Sequence, residues 1–234
     1  MEIQALKTPI FQPNNDLIEF ITRRIGKLAD KSILVITSKI VALSEGRIRY
    51  CKNNRAKDAL IKSECDWAIK TKHAWLTIKD GMALPSAGVD ESNGNGQIIL
   101  LPKNSYQTAE RVRKILLKKY HLKNLGVIIT DSRLLPLRAG VVGIALGYAG
   151  FEGIRDYRGA PDIFGRKLKI SRTDVADSLA TAAVLLMGEG KERQPLAIIN
   201  NAPVKFSTKA QHRQLNIDIK DDIYRPLFEK AKTI

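Results

Sequence analysis

Three acidic residues stand in segments whose composition suits a ligand site. Asp90 lies within residues 87–96, a stretch too rich in Gly, Asn and Ser to hold a regular element. Asp131 stands just beyond the apolar run 125–129, and open sheets usually place ligands beyond the carboxyl ends of their strands. Glu189 lies between two glycines after an apolar helical stretch. In a chain with a formal charge of +15, these acids indicate an anchored cation rather than random surface acidity.

Carboxylates from separate loops can bind hard divalent cations. Magnesium and manganese take oxygen ligands, usually a few carboxylates completed by phosphate oxygens and water. Ser132, next to Asp131, adds a hydroxyl. The set would therefore suit one or two ions that hold a nucleotide. Each acid also has a structural alternative: an Asx turn at Asp90, a helix N-cap at Asp131 and a solvated position past a helix end at Glu189. Spacing alone leaves both interpretations open.

The sequence lacks the signatures of several other catalytic centres. It contains no GxSxG, HExxH, Walker A or EF-hand motif. The three histidines, His73, His121 and His212, are predicted at the surface. A group of glycines in the second half of the chain fits neither GxGxxG nor a P-loop, so it predicts close backbone packing. These glycines stand at positions 140, 143, 147 and 150.

Hydrophobic periodicity predicts helices and strands in an order without strict alternation. The predicted helices are 16–28 with Asn15 or Asp16 as its cap, 55–71, 108–120, a stretch from Ser171 or Thr173 through Leu186, and 223–232. The predicted strands are 33–36, 97–101, 125–129, 141–148 and 195–199, and 75–83 predicts a hairpin. This order favours an α+β fold of mixed sheets with packed helices. Residues 1–234 are interpreted as one catalytic unit that could contain two subdomains.

The basic charge of the chain predicts anionic partners. Lys and Arg number 39 against 24 Asp and Glu, and such a field attracts nucleotides, polycarboxylates or nucleic acid. The basic clusters at 111–114 and 118–119 have helical spacing, so they predict a solvated helix face. A nucleic-acid-binding module is the main rival from another functional class. Aromatic residues make up only 6% and form no stripe beside the basic residues, so we expect no nucleic-acid partner.

Composition also bears on the location of the protein. No apolar run reaches the roughly 18–20 residues that a membrane span needs, and the N-terminus lacks the layout of a secretion signal. Cys51 and Cys65 are too few for a disulfide framework and lack metal-binding spacing. These features predict a reduced, cytoplasmic setting without a membrane partner.

Motifs spread along the chain resemble those of the coenzyme F420:γ-glutamyl ligase family. The resemblance extends from Leu6 to about Ile199, and the number and order of the motifs carry it. The motifs are Leu6-Lys7-Thr8-Pro9-Ile10, Thr37-Ser38-Lys39-Ile40-Val41, Ser44-Glu45-Gly46-Arg47, Ala87-Gly88-Val89-Asp90-Glu91-Ser92-Asn93, Gly126-Val127-Ile128-Ile129-Thr130-Asp131-Ser132, Asp156-Tyr157-Arg158-Gly159, Asp162-Ile163-Phe164-Gly165-Arg166 and Leu186-Met187-Gly188-Glu189-Gly190.

The resemblance implies a fold, a reaction and a set of site residues. It implies an α+β fold, usually in an intertwined homodimer, and GTP-dependent amide formation with two magnesium or manganese ions, with K+ as a further candidate. Asp90, Asp131 and Glu189 would be catalytic, metal-binding acids, with Ser132 as a further ligand. The nucleotide contacts that it implies are Thr8, Pro9, Ile10, Phe11, Ser38, Lys39, Asn93, Met187, Gly188, Gly190, Lys191, Glu192, Arg193 and Gln194.

The reaction implied by the family needs no nucleophilic side chain. A substrate carboxylate attacks the γ-phosphate of the nucleotide to give an acyl phosphate, and the amine of L-glutamate then displaces phosphate. Arginines bind carboxylates and phosphates bidentately. Arg138, Arg158 or Arg166 would therefore bind glutamate or the acceptor. Ion pairs with Asp156 or Asp162 are the structural alternative, and the sequence leaves it equally open.

Two positions depart from the F420 ligases. Leu43 stands where those enzymes commonly carry a lysine that contacts the nucleotide, so Lys39 would take more of that role or the preference for GTP over ATP would change. Residues 133–138 replace an Asp-Thr-x-Gly-Arg pattern and resemble the relatives proposed to act on folates. The predicted acceptor is therefore a pterin or folate or a deazaflavin precursor of F420. All three acids are present, which argues against a non-catalytic relative.

Overall fold

A computed structural model describes residues 1–208 and 214–230 of the chain. Its strands are β1 (Glu2–Leu6), β2 (Ser32–Thr37), β3 (Ile48–Arg49), β4 (Trp67–Lys70), β5 (Trp75–Lys79), β6 (Met82–Pro85), β7 (Ile98–Ile99), β8 (Leu125–Leu134), β9 (Val141–Ala149), β10 (Ile154–Asp156), β11 (Arg172–Asp174) and β12 (Leu196–Asn200). Its helices are α1 (Leu17–Arg24), α2 (Ser38–Ser44), α3 (Asn54–Ser63), α4 (Ser105–Lys119), α5 (Val175–Met187) and α6 (Arg225–Lys230). This mixture of sheets and helices agrees with the predicted α+β class.

The chain divides into two compact units. Unit 1 comprises Met1–Gly46 and Pro102–Gln214, and unit 2 comprises Arg47–Leu101 and Leu215–Ile234. Unit 1 therefore contains Asp131 and Glu189, and unit 2 contains Asp90.

Unit 1 is built on a five-stranded sheet of order β1-β12-β2-β8-β9. β2 and β8 are parallel, and the other neighbouring strands are antiparallel. Residues Ile33, Leu34, Val35 and Ile36 of the central strand are all fully buried. Such a continuous apolar run is typical of a strand covered on both faces. Helices α4 and α5 pack against β9.

Side-chain caps fix where the helices of unit 1 begin. The Asp16 carboxylate accepts a hydrogen bond from the N–H of Glu19 at 2.7 Å, so the predicted cap of α1 is confirmed. Asn104 caps α4, which begins three residues before the predicted start. Asp174 caps α5, which begins later than predicted because the preceding residues pair with β10 as β11. Among the described residues, no helix is both long and apolar enough to cross a membrane.

Unit 2 contains a three-stranded sheet, β4-β5-β6, a short pair of strands, β3-β7, and helix α3. The predicted hairpin at 75–83 is confirmed as β5 and β6. Its turn residues Asp80 and Gly81 both have positive φ, 52° and 75°, as a two-residue hairpin turn requires. A small buried cluster forms the core of this unit. Its members are Ile61, Ala87, Val89, Ile98 and Leu100.

Three further predicted elements are wrong in type or extent, and the helix predicted at 16–28 ends at Arg24. The helix predicted at 55–71 ends at Ser63, and Trp67–Lys70 forms β4 instead, because antiparallel pairing with β5 overrides a weak helical periodicity. The strand predicted at 97–101 is reduced to Ile98–Ile99. The terminal helix covers Arg225–Lys230, and the predicted positions 231–232 lie outside the described residues.

Candidate functional site

One end of the unit 1 sheet collects several segments that the sequence analysis expects to bind nucleotide. Leu6 pairs with Leu196, and Leu196 pairs with Ile36, so β1 and β2 end where β12 begins. Thr37 lies opposite Thr130, so β8 passes through the same region. We call this region the sheet end. Because the register fixes all four strands, it brings together the chain around residues 7–11, 38–39, 130–132 and 193–195.

Backbone hydrogen bonds extend this arrangement beyond the strands. The N–H of Thr8 donates to the carbonyl of Arg193 at 2.9 Å, and the N–H of Thr37 donates to that of Pro195 at 3.0 Å. Arg193 adopts a positive φ of 55°. The segment after β1, the start of α2 and the segment before β12 are therefore held against one another.

The segment Thr8–Phe11 combines buried and exposed positions. Thr8 is buried, and its hydroxyl donates to the carbonyl of Pro9 at 2.8 Å. Ile10 is exposed. Phe11 is buried, and its ring packs edge-on against Phe20 with 4.9 Å between ring centroids. Phe11 thus anchors the segment through its side chain.

Ser38 and Lys39 open α2, a helix that the sequence did not predict. Ile40, Val41, Ala42 and Leu43 are all buried, so the element has no polar face and shows no amphipathic period. Leu43, which stands where the resemblance to the F420 ligases predicts a lysine, is buried. Ser38 is also buried, whereas Lys39 is half-buried.

Asp131 lies inside β8, so the predictions that it follows a strand or caps a helix are wrong. β8 continues through Leu134 because it forms a long antiparallel ladder with β9. The register shifts between Ile129 and Thr130, and beyond that irregularity Asp131 pairs with Ile144. Asp131 and Ser132 are both half-buried. Bulges of this kind often redirect a side chain beside a functional site.

Three side chains bind the β9 backbone opposite Asp131. The Asp177 carboxylate of α5 accepts from the N–H of Ala145 at 2.8 Å. The hydroxyl of Thr181, one turn further along α5, donates to the carbonyl of Gly143 at 2.6 Å. The hydroxyl of Thr130 donates to the carbonyl of Ile144 at 2.8 Å. We call these three side chains the β9 clamp.

The β9 clamp was not predicted from the sequence. Asp177 is the third residue of α5, where an acid is ordinary, so only the spacing from the Asp174 cap could have drawn attention to it. Burial raises the pKa of Asp177, against the opposing effects of the Ala145 N–H and of Arg133. Burial also raises the pKa of Asp174, to about 6. Gly143 lets α5 approach closely, because a Cβ there would lie 2.5 Å from a backbone oxygen of α5.

Glu189 lies in an exposed loop that starts where α5 ends. Gly188 ends the helix with a φ of 80°. The carboxylate of Glu192 accepts from the N–H of Gly190 at 2.8 Å, and it also lies over Gly188. Glu189 itself is exposed, which fits the solvated position past a helix end. Met187 is buried and anchors the start of the loop. The other positions in the loop, Lys191, Arg193 and Gln194, are exposed or half-buried.

Asp90 of unit 2 forms the predicted Asx turn. Its carboxylate accepts from the N–H of Ser92 at 2.7 Å and from the Ser92 hydroxyl at 2.8 Å. Its backbone exchanges two hydrogen bonds with Ile99, at 3.0 and 2.8 Å. The neighbouring Glu91 pairs with Lys57 of α3 at 2.7 Å, and Asn93 adopts a positive φ of 53°. The loop is therefore ordered by its own hydrogen bonds.

The chemistry of the expected metal ligands fits magnesium or manganese. Asp90, Asp131, Glu189 and Ser132 all offer oxygen atoms, the donor type that these hard cations prefer. Neither unit has, within its described residues, a group of three or more His, Cys, Asp or Glu side chains arranged to hold a metal.

Of the three arginines predicted to bind glutamate or the acceptor, Arg158 pairs with an acid through its side chain. Arg158 binds Asp156 with its Nε at 3.0 Å from both carboxylate oxygens, and the Arg158 guanidinium holds the pKa of Asp156 down to about 2. This is the structural alternative for Arg158. Asp162 accepts from the backbone N–H of Arg166 at 2.9 Å. Arg138 is exposed.

Arg113 corrects the prediction that the basic clusters of α4 form a solvated face. Arg111, Lys114, Lys118 and Lys119 are exposed, as predicted. Arg113 is buried, and its Nε donates to the carbonyl of Leu125 at 3.0 Å. The guanidinium also pairs with a glutamate one turn earlier in α4. This arginine therefore joins α4 to the start of β8.

The predictions for the histidines are confirmed where the structure describes them, and those for the glycines are confirmed at three of four positions. His73 and His121 are exposed, as predicted, whereas His212 lies outside the described residues. Added Cβ atoms at Gly143, Gly147 and Gly150 would all lie within 2.5 Å of backbone atoms, which confirms close packing there. Gly140 faces open space, so the packing prediction is wrong at that position. Its φ of 88° accounts for the glycine instead.

Comparison with known proteins identifies the family. The F420-0:gamma-glutamyl ligase family model matches residues 5–201. The coenzyme F420:L-glutamate ligases of Methanococcus maripaludis (strain C7) and Methanocaldococcus jannaschii are both 34% identical, over 96% of this chain and 97% of theirs. That of Archaeoglobus fulgidus is 31% identical over 84% of this chain and 85% of its own. The matched residues include the sheet end, the Asp90 loop and the β9 clamp. The chain belongs to the F420-0:gamma-glutamyl ligase family.

Proposed function

We propose that this ligase uses GTP to join L-glutamate to a carboxylate of the F420 precursor that lacks glutamate. The observation that carries the proposal is the sheet end, where strand register gathers the motifs at Thr8, Ser38-Lys39 and Asp131-Ser132. The similarity to coenzyme F420:L-glutamate ligases along almost the whole chain supports the same acceptor.

The proposed reaction has two steps, formation of an acyl phosphate and its displacement by the amine of glutamate. An acceptor carboxylate oxygen attacks the γ-phosphorus of GTP, the bond to the β-phosphate oxygen breaks, and GDP leaves. The glutamate amine then attacks the carbonyl carbon of the acyl phosphate, inorganic phosphate leaves, and the amine loses a proton to water or phosphate. The protein orients the reactants and neutralises developing charge, which is most of the catalytic work in phosphoryl transfer.

Residues of the sheet end contact the nucleotide in this proposal. Lys39 binds phosphate oxygens, and the Thr8–Phe11 and Met187–Gln194 segments surround the rest of the nucleotide. Phe11 and Met187 contribute backbone groups, since their side chains are buried. Asn93 adds a contact from the Asp90 loop. With Leu43 buried, Lys39 carries the phosphate contact that a lysine at position 43 would otherwise share.

Asp90, Asp131, Glu189 and Ser132 are the proposed ligands of magnesium or manganese. Bound divalent cations would neutralise the phosphate charge that otherwise repels the attacking carboxylate. The hydrogen bonds from Ser92 hold the Asp90 carboxylate in one orientation. K+ is a further proposed cation.

A folate or pterin is the second candidate acceptor. The observation that favours it is the hairpin between β8 and β9, where residues 133–138 differ from the F420 ligase pattern and are exposed or half-buried. This hairpin directly follows Asp131 and Ser132, so it can contact an acceptor bound beside them.

A homodimer is part of the proposal. Monomers rarely expose clusters of large apolar side chains, and such clusters mark interaction surfaces. Unit 1 exposes several on the β8–β9 hairpin and in the segment between β10 and β11. They are Leu134, Leu135, Leu137, Val141, Ile163, Phe164 and Ile170. A molar mass of two chains by light scattering supports the dimer, and a mass of one chain contradicts it.

A cytoplasmic location is also proposed. Cys51 and Cys65 are both free thiols, as a reducing compartment maintains them. A fluorescent fusion that collects outside the cytoplasm in the source cell would contradict this location.

The acceptor is tested by product mass. The protein is incubated with GTP or ATP, manganese, L-glutamate and either the glutamate-free F420 precursor or tetrahydrofolate. The proposal predicts that the F420 precursor gains one or more glutamyl residues with GTP. Glutamylation of tetrahydrofolate alone would move the assignment to the folate relatives. Salt-sensitive nucleic-acid binding without any glutamylation would favour the rival class.

A further inference from the structure

We infer that Thr77 is a positioning residue that holds Asp90 in place through a left-handed turn. The inference rests on the proposed metal-binding role of Asp90. Thr77 lies at the centre of β5 in unit 2, is fully buried, and belongs to none of the motifs that mark the family. Thr77 acts on Asp90 indirectly: its hydroxyl contacts Ala87, three residues before Asp90.

The turn before Asp90 has an unusual backbone. Ser86, Ala87 and Gly88 have consecutive positive φ values of 50°, 55° and 70°. Two of these residues carry a Cβ, which crowds the following carbonyl in the left-handed region. Such a backbone persists only where its surroundings fix it, and residues of this kind cluster at functional sites.

Thr77 supplies the hydrogen bond that fixes the turn. Its hydroxyl oxygen accepts from the N–H of Ala87 at 2.8 Å, and the hydroxyl donates to the carbonyl of Leu84 at 2.6 Å. Ala87 is buried in the core cluster of unit 2, so water cannot replace the lost partner of its N–H. A hydroxyl suits this position because it can accept from one backbone group and donate to the other with a side chain as small as threonine.

The turn leads directly to Asp90. Gly88 packs against Leu101, whose side-chain atoms would lie 2.5 Å from an added Cβ, so the turn cannot shift toward that side. Val89 is buried, and Asp90 is fixed to Ile99 by two backbone hydrogen bonds. A turn displaced at Ala87 shifts Gly88 and Val89, the two residues that connect it to Asp90, and so strains the backbone bonds that hold Asp90.

The test compares three variants that differ in hydrogen bonding. Thr77→Val keeps the shape of the side chain and removes the hydroxyl, whereas Thr77→Ser keeps the hydroxyl. Thr71→Val is the matched control, because Thr71 also bonds backbone groups in unit 2, donating to the carbonyl of Ala74 at 2.7 Å, but at the loop between β4 and β5. Thermal unfolding confirms that each variant is folded.

Three readouts are followed in each variant. They are manganese binding measured by the EPR signal of free manganese, hydrogen exchange of the peptide covering residues 82–92, and the glutamylation rate. We expect Thr77→Val to weaken manganese binding and lower the rate by about tenfold or more, as loss of support behind a metal ligand usually does. Exchange of the 82–92 peptide should accelerate. Thr77→Ser and Thr71→Val should stay within about twofold of the wild type.

The outcomes separate this inference from the proposed function. Manganese binding and turnover at wild-type levels in folded Thr77→Val would overturn the positioning role and leave the ligase proposal standing. A wild-type protein that neither binds manganese nor glutamylates an acceptor would overturn the role of Asp90 itself. If Thr77→Val does not fold, Thr77→Ala replaces it, since alanine also removes the hydroxyl and adds no new atoms. Wild-type manganese binding and turnover of folded Thr77→Ala would then contradict the inference.

Discussion

Asp90 and Asp131 are held in their units by different means. Asp131 lies in a long strand of the unit 1 sheet, and the β9 clamp fixes the strand opposite it with three separate side chains. Asp90 lies in a loop of unit 2 that follows a left-handed turn, and one buried hydroxyl fixes that turn. Three side chains thus support the strand opposite Asp131, whereas one buried side-chain hydroxyl supports the turn before Asp90.

This difference predicts unequal sensitivity to the same kind of mutation. A sheet with two paired strands loses little order when one side-chain hydrogen bond is removed, because the remaining bonds still fix the register. The turn before Asp90 has one side-chain hydrogen bond behind it, besides the backbone bond from the Val89 N–H to the Ser86 carbonyl. Its left-handed residues should relax toward ordinary backbone angles when that side-chain bond is lost. Changes behind Asp90 should therefore affect the reaction more than comparable changes behind Asp131.

Removal of either acid itself should have the largest effect. Asp131→Asn and Asp90→Asn each replace a charged oxygen ligand by a neutral amide, and we expect glutamylation to fall by about a hundredfold or more. Initial rates at saturating GTP and manganese measure the loss. Circular dichroism and thermal unfolding should match the wild type, since both variants keep the size of the side chain.

The control for these variants is Glu91→Gln, next to Asp90. Glu91 is exposed and pairs with Lys57, and the proposal gives it no ligand role. Its activity should stay within about twofold of the wild type. Wild-type turnover by Asp131→Asn, or a Glu91→Gln loss as large as that of Asp90→Asn, would remove the metal-binding assignment.

Asp177 provides the test of the shared support behind Asp131. Asp177→Ala removes the acceptor for the Ala145 N–H, and we expect a rate loss of only about threefold to tenfold, less than for Thr77→Val. Asp177→Asn keeps an acceptor oxygen and should retain most of the activity. Steady-state rates across pH 6–8, about the range of ordinary assays, compare the three proteins. A loss for Asp177→Ala larger than that for Thr77→Val would reverse the comparison between the two regions.

Glu64 tests the stability of the unit that carries Asp90. Its Oε2 lies 2.7 Å from Arg47 and 2.9 Å from Lys79. Burial would raise the pKa of Glu64, but the two cations outweigh it and the pKa is lowered. The carboxylate therefore contributes stability above its ordinary pKa, and that contribution is lost as the pH falls through the lower folded value.

Glu64→Gln should lower the unfolding free energy by roughly 1–2 kcal/mol at pH 7. The difference from the wild type should shrink below pH ~4, where the wild-type carboxylate becomes protonated as well. Urea unfolding at several pH values measures both effects. A variant as stable as the wild type at pH 7 would mean that this ion-pair network contributes nothing net.

Asp174 in unit 1 should show the opposite pH dependence and the smallest effect. Burial raises its pKa to about 6, so its favourable contribution is complete below the ordinary value and is lost as the pH rises through about 6. Asp174→Asn keeps an oxygen for the α5 cap and removes the buried charge. We expect a gain of about 1 kcal/mol in the unfolding free energy at pH 8 and no gain at pH 4. A loss of stability at pH 8 would contradict the burial argument.

The sequence predicts elements well where local signals are strong. Asp16 caps α1, and the apolar run at 33–36 becomes the buried centre of the sheet. Helix α2 was missed because its residues are buried all round, and β4 was missed because its pairing with β5 is not a local property. Local chemistry also predicts the Asx turn at Asp90, which depends only on residues two positions apart.

The environment of the two acids depends on contacts that are distant in sequence. The strand that contains Asp131 continues because β9 pairs with it, and Asp177 reaches Ala145 across 32 positions. The turn before Asp90 depends on a hydroxyl ten residues earlier, on a strand whose pattern gives no sign of it. Family motifs named the acids, but only the fold identifies the residues that hold them.

The central claim is that glutamate addition is coupled to nucleotide cleavage in one protein. The most direct measurement is the amount of GDP and of glutamylated F420 precursor formed by the purified protein in the same reaction. The account predicts one GDP for each glutamyl residue added, with neither product formed when glutamate, GTP or manganese is left out. GDP release that continues without glutamylation, or glutamylation without GDP release, would contradict it.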